Sequence, residues 1–308
     1  MNQEFEVIAH GTTNYKIFLV NLLYRTPHVH RDFELGYVLE NEVTILVSGE
    51  THELHAGDFW IMNPFQSHEL KAEQPALLLS IQVPASFFSG YYRQIEAIEF
   101  TRFIYSPESN PMTGQPIGSL MHQMASQYFH GFDFYELKCA ALLNECLYQL
   151  LTFADYHFIT EKEQNASKNK AIRMRSVLQY IDENYMQKLL LTDIAERENL
   201  SLYYLSHLFK ESLGMSFQDY LLKIRCEKAR HLLLLTEQSL LDICIASGFS
   251  DPKYFNIGFK RQYGCTPKEY RKQFYHEELS SQQKSMLTTQ EFLSTTQSLI
   301  TLEKFISL

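Results

Sequence analysis

The stretch Leu191-Thr-Asp-Ile-Ala-Glu-Arg-Glu-Asn-Leu-Ser-Leu-Tyr-Tyr-Leu-Ser-His-Leu-Phe-Lys210 is followed by a second of the same design. This reads Leu240-Leu-Asp-Ile-Cys-Ile-Ala-Ser-Gly-Phe-Ser-Asp-Pro-Lys-Tyr-Phe-Asn-Ile-Gly-Phe-Lys260. Each runs through a short apolar helix and a tight turn into a longer helix ending in Phe-Lys. That is the sequence form of a helix-turn-helix, whose second helix enters the DNA major groove.

The local signals agree in both copies. In the first, Thr192 is a suitable N-cap for a helix over 193–198, and Ser201 for the next one. Ala195 is small where two helices cross. Asn199 stands at the turn, where a left-handed backbone tolerates Asn better than most residues. Leu205, Leu208 and Phe209 point inward at helical spacing, which leaves Tyr203, Ser206, His207 and Lys210 outward. In the second, Cys244 takes the small position and Gly248 the turn. Asp251 caps, and Pro252 opens the helix. Phe255 and Phe259 go inward; Lys253, Asn256, Ile257 and Lys260 go outward. Of the outward residues, Lys210, Lys260 and Arg261 suit phosphates, and the others suit base edges. Ile257 has two readings: contact with a thymine methyl, or inward packing that leaves Lys253 and Asn256 to read bases.

Working outward, residues 217–235 form one continuous apolar-periodic helix between the copies. Nineteen residues span about 28 Å at a rise of ~1.5 Å each. Major-groove faces recur every ~34 Å along one side of B-DNA. A spacer of this length suits two reading helices in adjacent major-groove segments. A helix over 172–187, with Ile172, Val177, Leu178, Ile181 and Tyr185 on its apolar side, braces the first copy. A closing helix follows Thr266 or Pro267.

The net charge of −9 looks wrong for a DNA binder until the chain is divided. Residues 1–167 carry 8 basic and 20 acidic side chains, a net −12. Residues 168–276 carry 17 and 12, a net +5, and residues 277–308 a net −2. The basic excess sits with the paired helices, as phosphate binding requires. The acidic first half is expected to sense or to pair.

The pattern Asp242-Ile-x₄-Gly248-Phe-x₄-Tyr254-Phe-x₃-Phe259-Lys-x₃-Gly264-x-Thr266-Pro267-x₂-Tyr270-Arg271 resembles the signature of AraC-type (AraC/XylS) transcription regulators. The first copy, with Leu205-Ser206-x-Leu-Phe209-Lys210 and Gly214, matches that family's first helix-turn-helix. The resemblance covers about 100 residues. It implies a ligand-responsive, dimeric regulator, usually an activator that recruits RNA polymerase. Ile257 departs from it, standing where a polar base-facing residue is common.

The first half reads as strands at 16–24, 33–39, 42–47, 51–54, 59–62 and 76–83, separated by Gly, Pro and Asn turns. Short strands at even spacing indicate an antiparallel barrel or jelly roll. Within it, His28 and His30 at i and i+2 on a strand share a face, and Glu34 keeps their parity. His68 on a neighbouring strand would complete a set suited to a divalent metal. The arrangement resembles the cupin family, whose first motif is His-x-His followed by Glu and whose second runs from Gly through Pro to His. Here Gly57 and His68 have the expected separation, but the Pro is one place late and a Gly before the His is missing.

The favoured reading is a metal-free effector pocket at His28, His30, Glu34 and His68, with Trp60, the single tryptophan, lining it by stacking or packing in the core. No cofactor is assigned. A divalent metal at the same four residues is the lesser alternative.

Residues 110–116 read as a loop, and helices follow over 117–130 and 135–153. The second helix carries enough apolar surface to pack on its own barrel and on a second copy, which gives the expected homodimer. Residues 161–170 are polar and charged, the composition of a flexible linker, with some of it able to begin the next helix. The extension 277–308 is rich in Ser, Thr and Gln with scattered apolar residues. It reads as a marginal helix docked on the second domain or, by preference, as disordered. The five cysteines form no Cys-x-x-Cys pair. No leader opens the sequence, and no apolar run approaches the ~20 residues of a membrane span. A reduced, cytoplasmic location with no membrane partner is expected.

The expected fold is therefore α+β: a cupin-like antiparallel barrel with dimerisation helices over 1–160, a linker over 161–170, and an all-α double helix-turn-helix domain over 171–276. The expected function is a sequence-specific regulator of transcription on double-stranded DNA, an activator under the control of a small-molecule effector such as a sugar. The competing readings are a metal-sensing regulator, or a metal-dependent cupin enzyme fused to a DNA-binding domain. Enzyme activity is not expected, because the DNA module takes up a third of the chain.

Overall fold

The computed structural model describes residues 15–107, 114–275 and 290–306. It divides into two compact units. The first comprises residues 1–47, 51–171 and 289–308, and the second residues 48–50 and 172–288.

The first unit is built on antiparallel strands β1 (Lys16–His28), β2 (Phe33–Glu40), β3 (Val43–Val47), β4 (Glu50–Leu54), β5 (Phe59–Met62) and β6 (His68–Val83). Its large sheet has β6 between β1 and β2, with β5 beyond β2, and β3 pairs with the first half of β6. β6 starts at His68, eight residues before the strand that the sequence suggests. Its first half carries Lys71, Glu73 and Pro75, and these hide the strand pattern. Two short strands, β7 (Ile98–Phe100) and β8 (Ile104–Tyr105), and the three-residue β9 (Tyr156–Phe158) complete the region up to residue 158. β8 pairs with β5, and β7 with β9.

Alternation along β6 separates two apolar clusters. Leu77, Leu79, Ile81 and Val83 join Ile17, Leu19 and Leu35 on a face covered by helices. Leu78 joins Val20, Leu22, Val38, Ile45, Leu54, Trp60 and Met62 in the interior. Gly36 makes room there. A Cβ at this position would lie 1.9 Å from the Trp60 ring, so only glycine permits the close approach.

The covering helices are α2 (Gly114–His130) and α3 (Tyr135–Phe153), after the short α1 (Ala85–Ser89). Of the loop expected over 110–116, residues 110–113 lie outside the described residues and the rest open α2. α3 buries Cys139, Leu142, Leu143, Cys146, Leu147 and Leu150. Its other side leaves Leu137 and Tyr148 exposed, at 71% and 60%, with Phe134 just before it.

Two regions differ from the sequence expectation. Residues 161–170 are not an irregular linker but the first part of α4 (Glu161–Asn184). Glu, Lys, Gln and Ala are good helix formers even without an apolar stripe. Thr160 and Glu163 also form a capping box: Thr160 N donates to Glu163 Oε2 at 2.8 Å, and Glu163 N to Thr160 Oγ1 at 3.3 Å. The extension is the second difference. Residues 276–289 lie outside the described residues, but β10 (Gln290–Phe292) pairs antiparallel with β1, Val20 opposite Phe292. Helix α11 (Thr295–Ile306) then packs on α2, with Leu302 fully buried in the helix-covered core. The tail therefore belongs to the first unit, not to the helix-turn-helix domain. Apolar Leu293, Leu299, Leu302 and Phe305 on one side of a short helix supply the reason.

The second unit holds the remainder of α4, then α5 (Leu191–Arg197), α6 (Leu202–Leu213), α7 (Phe217–Leu235), α8 (Leu240–Ala246), α9 (Pro252–Tyr263) and α10 (Pro267–Tyr275). The spacer helix has the bounds read from sequence. No helix among the described residues is long and apolar enough to cross a membrane. All five thiols are free, four of them buried.

Candidate nucleic-acid interface and barrel site

The two helix-turn-helix copies repeat in exposure residue for residue. In 201–210 and in 251–260, only the fifth, eighth and ninth positions are buried. These are Leu205, Leu208 and Phe209 in α6, and Phe255, Gly258 and Phe259 in α9. Every residue assigned outward from sequence is exposed: Tyr203, Ser206, His207 and Lys210 on α6, and Lys253, Asn256, Ile257, Lys260 and Arg261 on α9. Ile257 is 57% exposed, so of its two readings the inward one does not hold. Asn256 Nδ2 donates to Pro252 O at 2.8 Å within its own helix, and Arg261 lies 3.2 Å from Asp219.

The turns are built as their residues require. Asn199 has φ +54° and Gly248 φ +82°. Ser201 Oγ accepts from Tyr204 N at 3.1 Å, and Asp251 Oδ1 from Lys253 N at 2.6 Å. Thr192 is not an N-cap. α5 begins one residue before it, at Leu191, with Leu190 as the uncapped boundary. Apolar Leu189, buried just upstream, sets that entry instead.

A polar network that the sequence reading did not single out anchors the second copy. Glu227 on α7 is buried. It accepts from Arg230 Nη2 at 2.6 Å and from Tyr263 Oη at 2.6 Å, and His231 Nε2 lies 3.2 Å away. Burial pushes its carboxyl up, but His231, Arg230 and Tyr263 together hold it well below the usual carboxylate range. A lone acid on the apolar side of an otherwise well-packed helix was the available signal.

In the first unit, the fold brings His28, His30, Glu34 and His68 together. Their nearest ligand atoms all lie within 4.8 Å of one another. The route differs from the one read in sequence. Only His28 is on β1, as its last residue; His30 lies in the connection, and Glu34 is on β2. His28 is paired with His68 across β1 and β6. Each imidazole has Nδ1 against a backbone carbonyl: Thr26 O at 3.0 Å, Asp32 O at 2.8 Å and Gln66 O at 3.2 Å. A carbonyl accepts only, so Nδ1 carries a proton in each ring.

Glu34 is 1% exposed. Its Oε2 is 3.1 Å from His30 Nε2 and accepts from Gln82 Nε2 at 2.7 Å, while its Oε1 is 4.0 Å from His68 Nε2. Burial would raise its carboxyl; contact with His30 and the charges of His30, His68 and Arg25 outweigh that and hold it low. Burial, partly offset by Glu34, lowers His68 to about 4. Burial and then Arg25 hold His28 well below the usual imidazole range. Trp60 lies in the same interior, fully buried, with no partner for its Nε1 among the described residues. Gln82 was missed in sequence, although Ser80 and Gln82 alternate as polar residues on one face of an apolar strand.

Comparison with known proteins agrees with this division. Residues 21–151 match the model of the AraC-like ligand binding domain, and residues 194–273 that of a helix-turn-helix domain. The chain is 26% identical over 256 residues to the Msm operon regulatory protein of Streptococcus mutans, covering 80% of this chain and 86% of that one. An uncharacterized HTH-type transcriptional regulator of Staphylococcus aureus is 24% identical over 77% of this chain, which spans only 31% of that protein's length. Among solved structures, the C-terminal domain of the two-component response regulator yesN from Fusobacterium nucleatum is 42% identical over 32% of this chain and 96% of its own, with a TM-score of 0.31. An AraC-like ligand-binding domain and a helix-turn-helix domain in one chain place this protein in the AraC-type family of transcription regulators.

Proposed function

We propose that this regulator reads DNA as a homodimer, with α6 and α9 of each copy in successive major-groove segments, and that a small molecule bound inside the barrel controls it. The observation that carries the reading is the repeated exposure pattern of α6 and α9, on either side of a 19-residue spacer helix in the basic part of the chain. Tyr203, Ser206 and His207 face bases from α6; Lys253, Asn256 and Ile257 do so from α9. Lys210, Lys260 and Arg261 hold phosphates. The buried polar side chains Glu34, His68, Ser80 and Gln82 on β2 and β6 support an oxygen-rich organic effector, a sugar among them. Activation through RNA polymerase follows the family resemblance.

Selection of binding sites from a randomised DNA pool tests the reading helices. Asn256→Ala is expected to relax preference at one base position, a loss of ~1–3 kcal/mol there, with the other positions kept. To read a base, the Asn256 side chain gives up its bond to Pro252 O, which is cheap at an exposed position. The same selected sequence from wild type and variant would remove Asn256 from the reading face.

The homodimer is proposed on α3. Leu137 and Tyr148 lie three turns apart on its uncovered side, with Ala141 between them. Sedimentation of the full chain should show a dimer. Leu137→Asp with Tyr148→Asp should weaken self-association by about 30-fold or more, as loss of a central apolar anchor does. An unchanged dimer would place the interface elsewhere.

A further inference from the structure

The spacer helix α7 holds the segment ahead of the first helix-turn-helix with two cations, three residues apart. Arg225 donates from Nε to Tyr185 O at 2.9 Å and from Nη2 to Gln187 O at 2.8 Å. Lys228 Nζ lies 3.4 Å from Asp182 Oδ1 and 5.3 Å from the centre of the Tyr185 ring. α4 ends at Asn184. Both carbonyls therefore lie just past its last turn, at the negative end of the helix, where a guanidinium is favoured. The turn of the second helix-turn-helix rests on the same segment. A Cβ on Gly248 would stand 2.5 Å from Tyr185 O and 3.0 Å from Arg225 Nε. Three parts of the domain thus meet at Arg225: the lead into α5, the spacer, and the turn before α9.

Much of what joins the two copies to α7 is apolar. Phe209 of α6 packs against Phe217 and Tyr220, and Phe255 and Phe259 of α9 share a core with Ala229 and Leu233. Such burial is non-directional. A planar guanidinium on two carbonyls is directional, because donors in a fixed fork set orientation as well as distance. We propose that Arg225 sets the spacing of the DNA segments this protein accepts. It is a positioning residue, acting through α6 and α9 rather than on a base: it fixes how far apart, and at what rotation, the two helices are presented. The inference rests on the reading of α6 and α9 as a pair in successive major-groove segments. One base pair added between two such segments moves them apart by ~3.4 Å along the axis and turns them by ~35°. A clamped pair of helices meets the altered site with one segment out of place. A loosened pair follows it.

The test uses the DNA site selected from the randomised pool. It is remade with one or two base pairs added to, or removed from, the stretch between its two segments, and the full chain is titrated on each by gel shift. Wild type should lose about tenfold or more in affinity for a change of one base pair, the order of a mismatch in a specific site. Arg225→Gln should bind the native spacing about threefold to tenfold more weakly, the worth of a hydrogen bond, and lose less than about threefold further when the spacing changes. Arg225→Lys keeps the charge but not the fork, and should tolerate altered spacing in the same way. Far-ultraviolet dichroism at the binding temperature shows that a variant is folded. Should Arg225→Gln unfold, Arg225→Lys decides the matter. A guanidinium that merely holds a phosphate predicts a different result: Gln weakens every spacing alike and Lys restores binding. That result overturns the proposal. A wild type sensitive to spacing, with variants equally sensitive, also overturns it and leaves the paired reading standing. A wild type indifferent to spacing overturns that reading and this inference with it.

Discussion

Replacing Gly248 with alanine should destabilise the DNA-binding unit by about 3 kcal/mol, through overpacking and a strained left-handed backbone. A Cβ there would lie 2.5 Å from Tyr185 O and 2.9 Å from Met186 Cα, both backbone atoms that cannot swing aside. The turn of the second helix-turn-helix is thus seated on the segment that leads into the first. Arg225 holds the same segment, donating from Nε to Tyr185 O at 2.9 Å and from Nη2 to Gln187 O at 2.8 Å. Moving the turn therefore disturbs both copies, and DNA affinity should drop with stability. Gly248→Asn separates the two causes. Asn tolerates positive φ, so if φ were the whole cost it would recover much of the loss. If the contact with Tyr185 dominates, Asn is as damaging as Ala. Urea unfolding followed by far-ultraviolet dichroism, with gel shift alongside, reads both. A Gly248→Ala protein within about 0.5 kcal/mol of wild type would show that the turn is not seated as described.

The second large effect is expected at Glu227. Glu227→Leu takes the carboxylate from Arg230, His231 and Tyr263 together. Breaking a buried charged network by removing one partner costs about 3–5 kcal/mol. A change in pH dependence distinguishes this from simple loss of packing. The folded carboxyl of Glu227 titrates far below its ordinary value near 4.5. Its contribution is therefore fully present above that value and is lost as pH falls below it, toward the folded value. Wild-type protein should lose stability steeply from about pH 5 downward, and Glu227→Leu less steeply, having no such group to protonate. Parallel acid slopes for the two proteins would mean that Glu227 carries no special charge stabilisation.

The helix-turn-helix domain was legible in sequence because its signals are local. Asp251-Pro252 starts a helix, Gly248 and Asn199 permit left-handed turns, and apolar residues recur at helical spacing. Each of these acts within a few residues, and the structure bears them out except at Thr192, where the buried Leu189 sets the helix start. The barrel was legible only in outline. Its strands alternate, but the site depends on register, which is non-local. Nothing near His68 indicates that it lies opposite His28, and nothing near Gln82 that it reaches Glu34. The tail was the least legible. Three residues of strand at Gln290–Phe292 have no pattern of their own, and they become a strand only because β1 offers an edge. Residues 161–170 show the opposite error. Polar composition suggests a linker that begins the next helix at most in part, whereas the Thr160–Glu163 box starts the helix at Glu161.

That last strand has a consequence for how the protein is made. β10 pairs with β1 but is made only after the helix-turn-helix domain. Throughout synthesis of the helix-turn-helix domain, the Val20–Leu22 side of β1 is an open edge, the kind of surface on which strands of other chains add. A transcript cut short after α10 would therefore yield a protein able to grip DNA yet prone to clump through its barrel. Once β10 has formed, that edge of β1 is paired. A single proteolytic nick in α4 would leave the two fragments joined by β10 and α11.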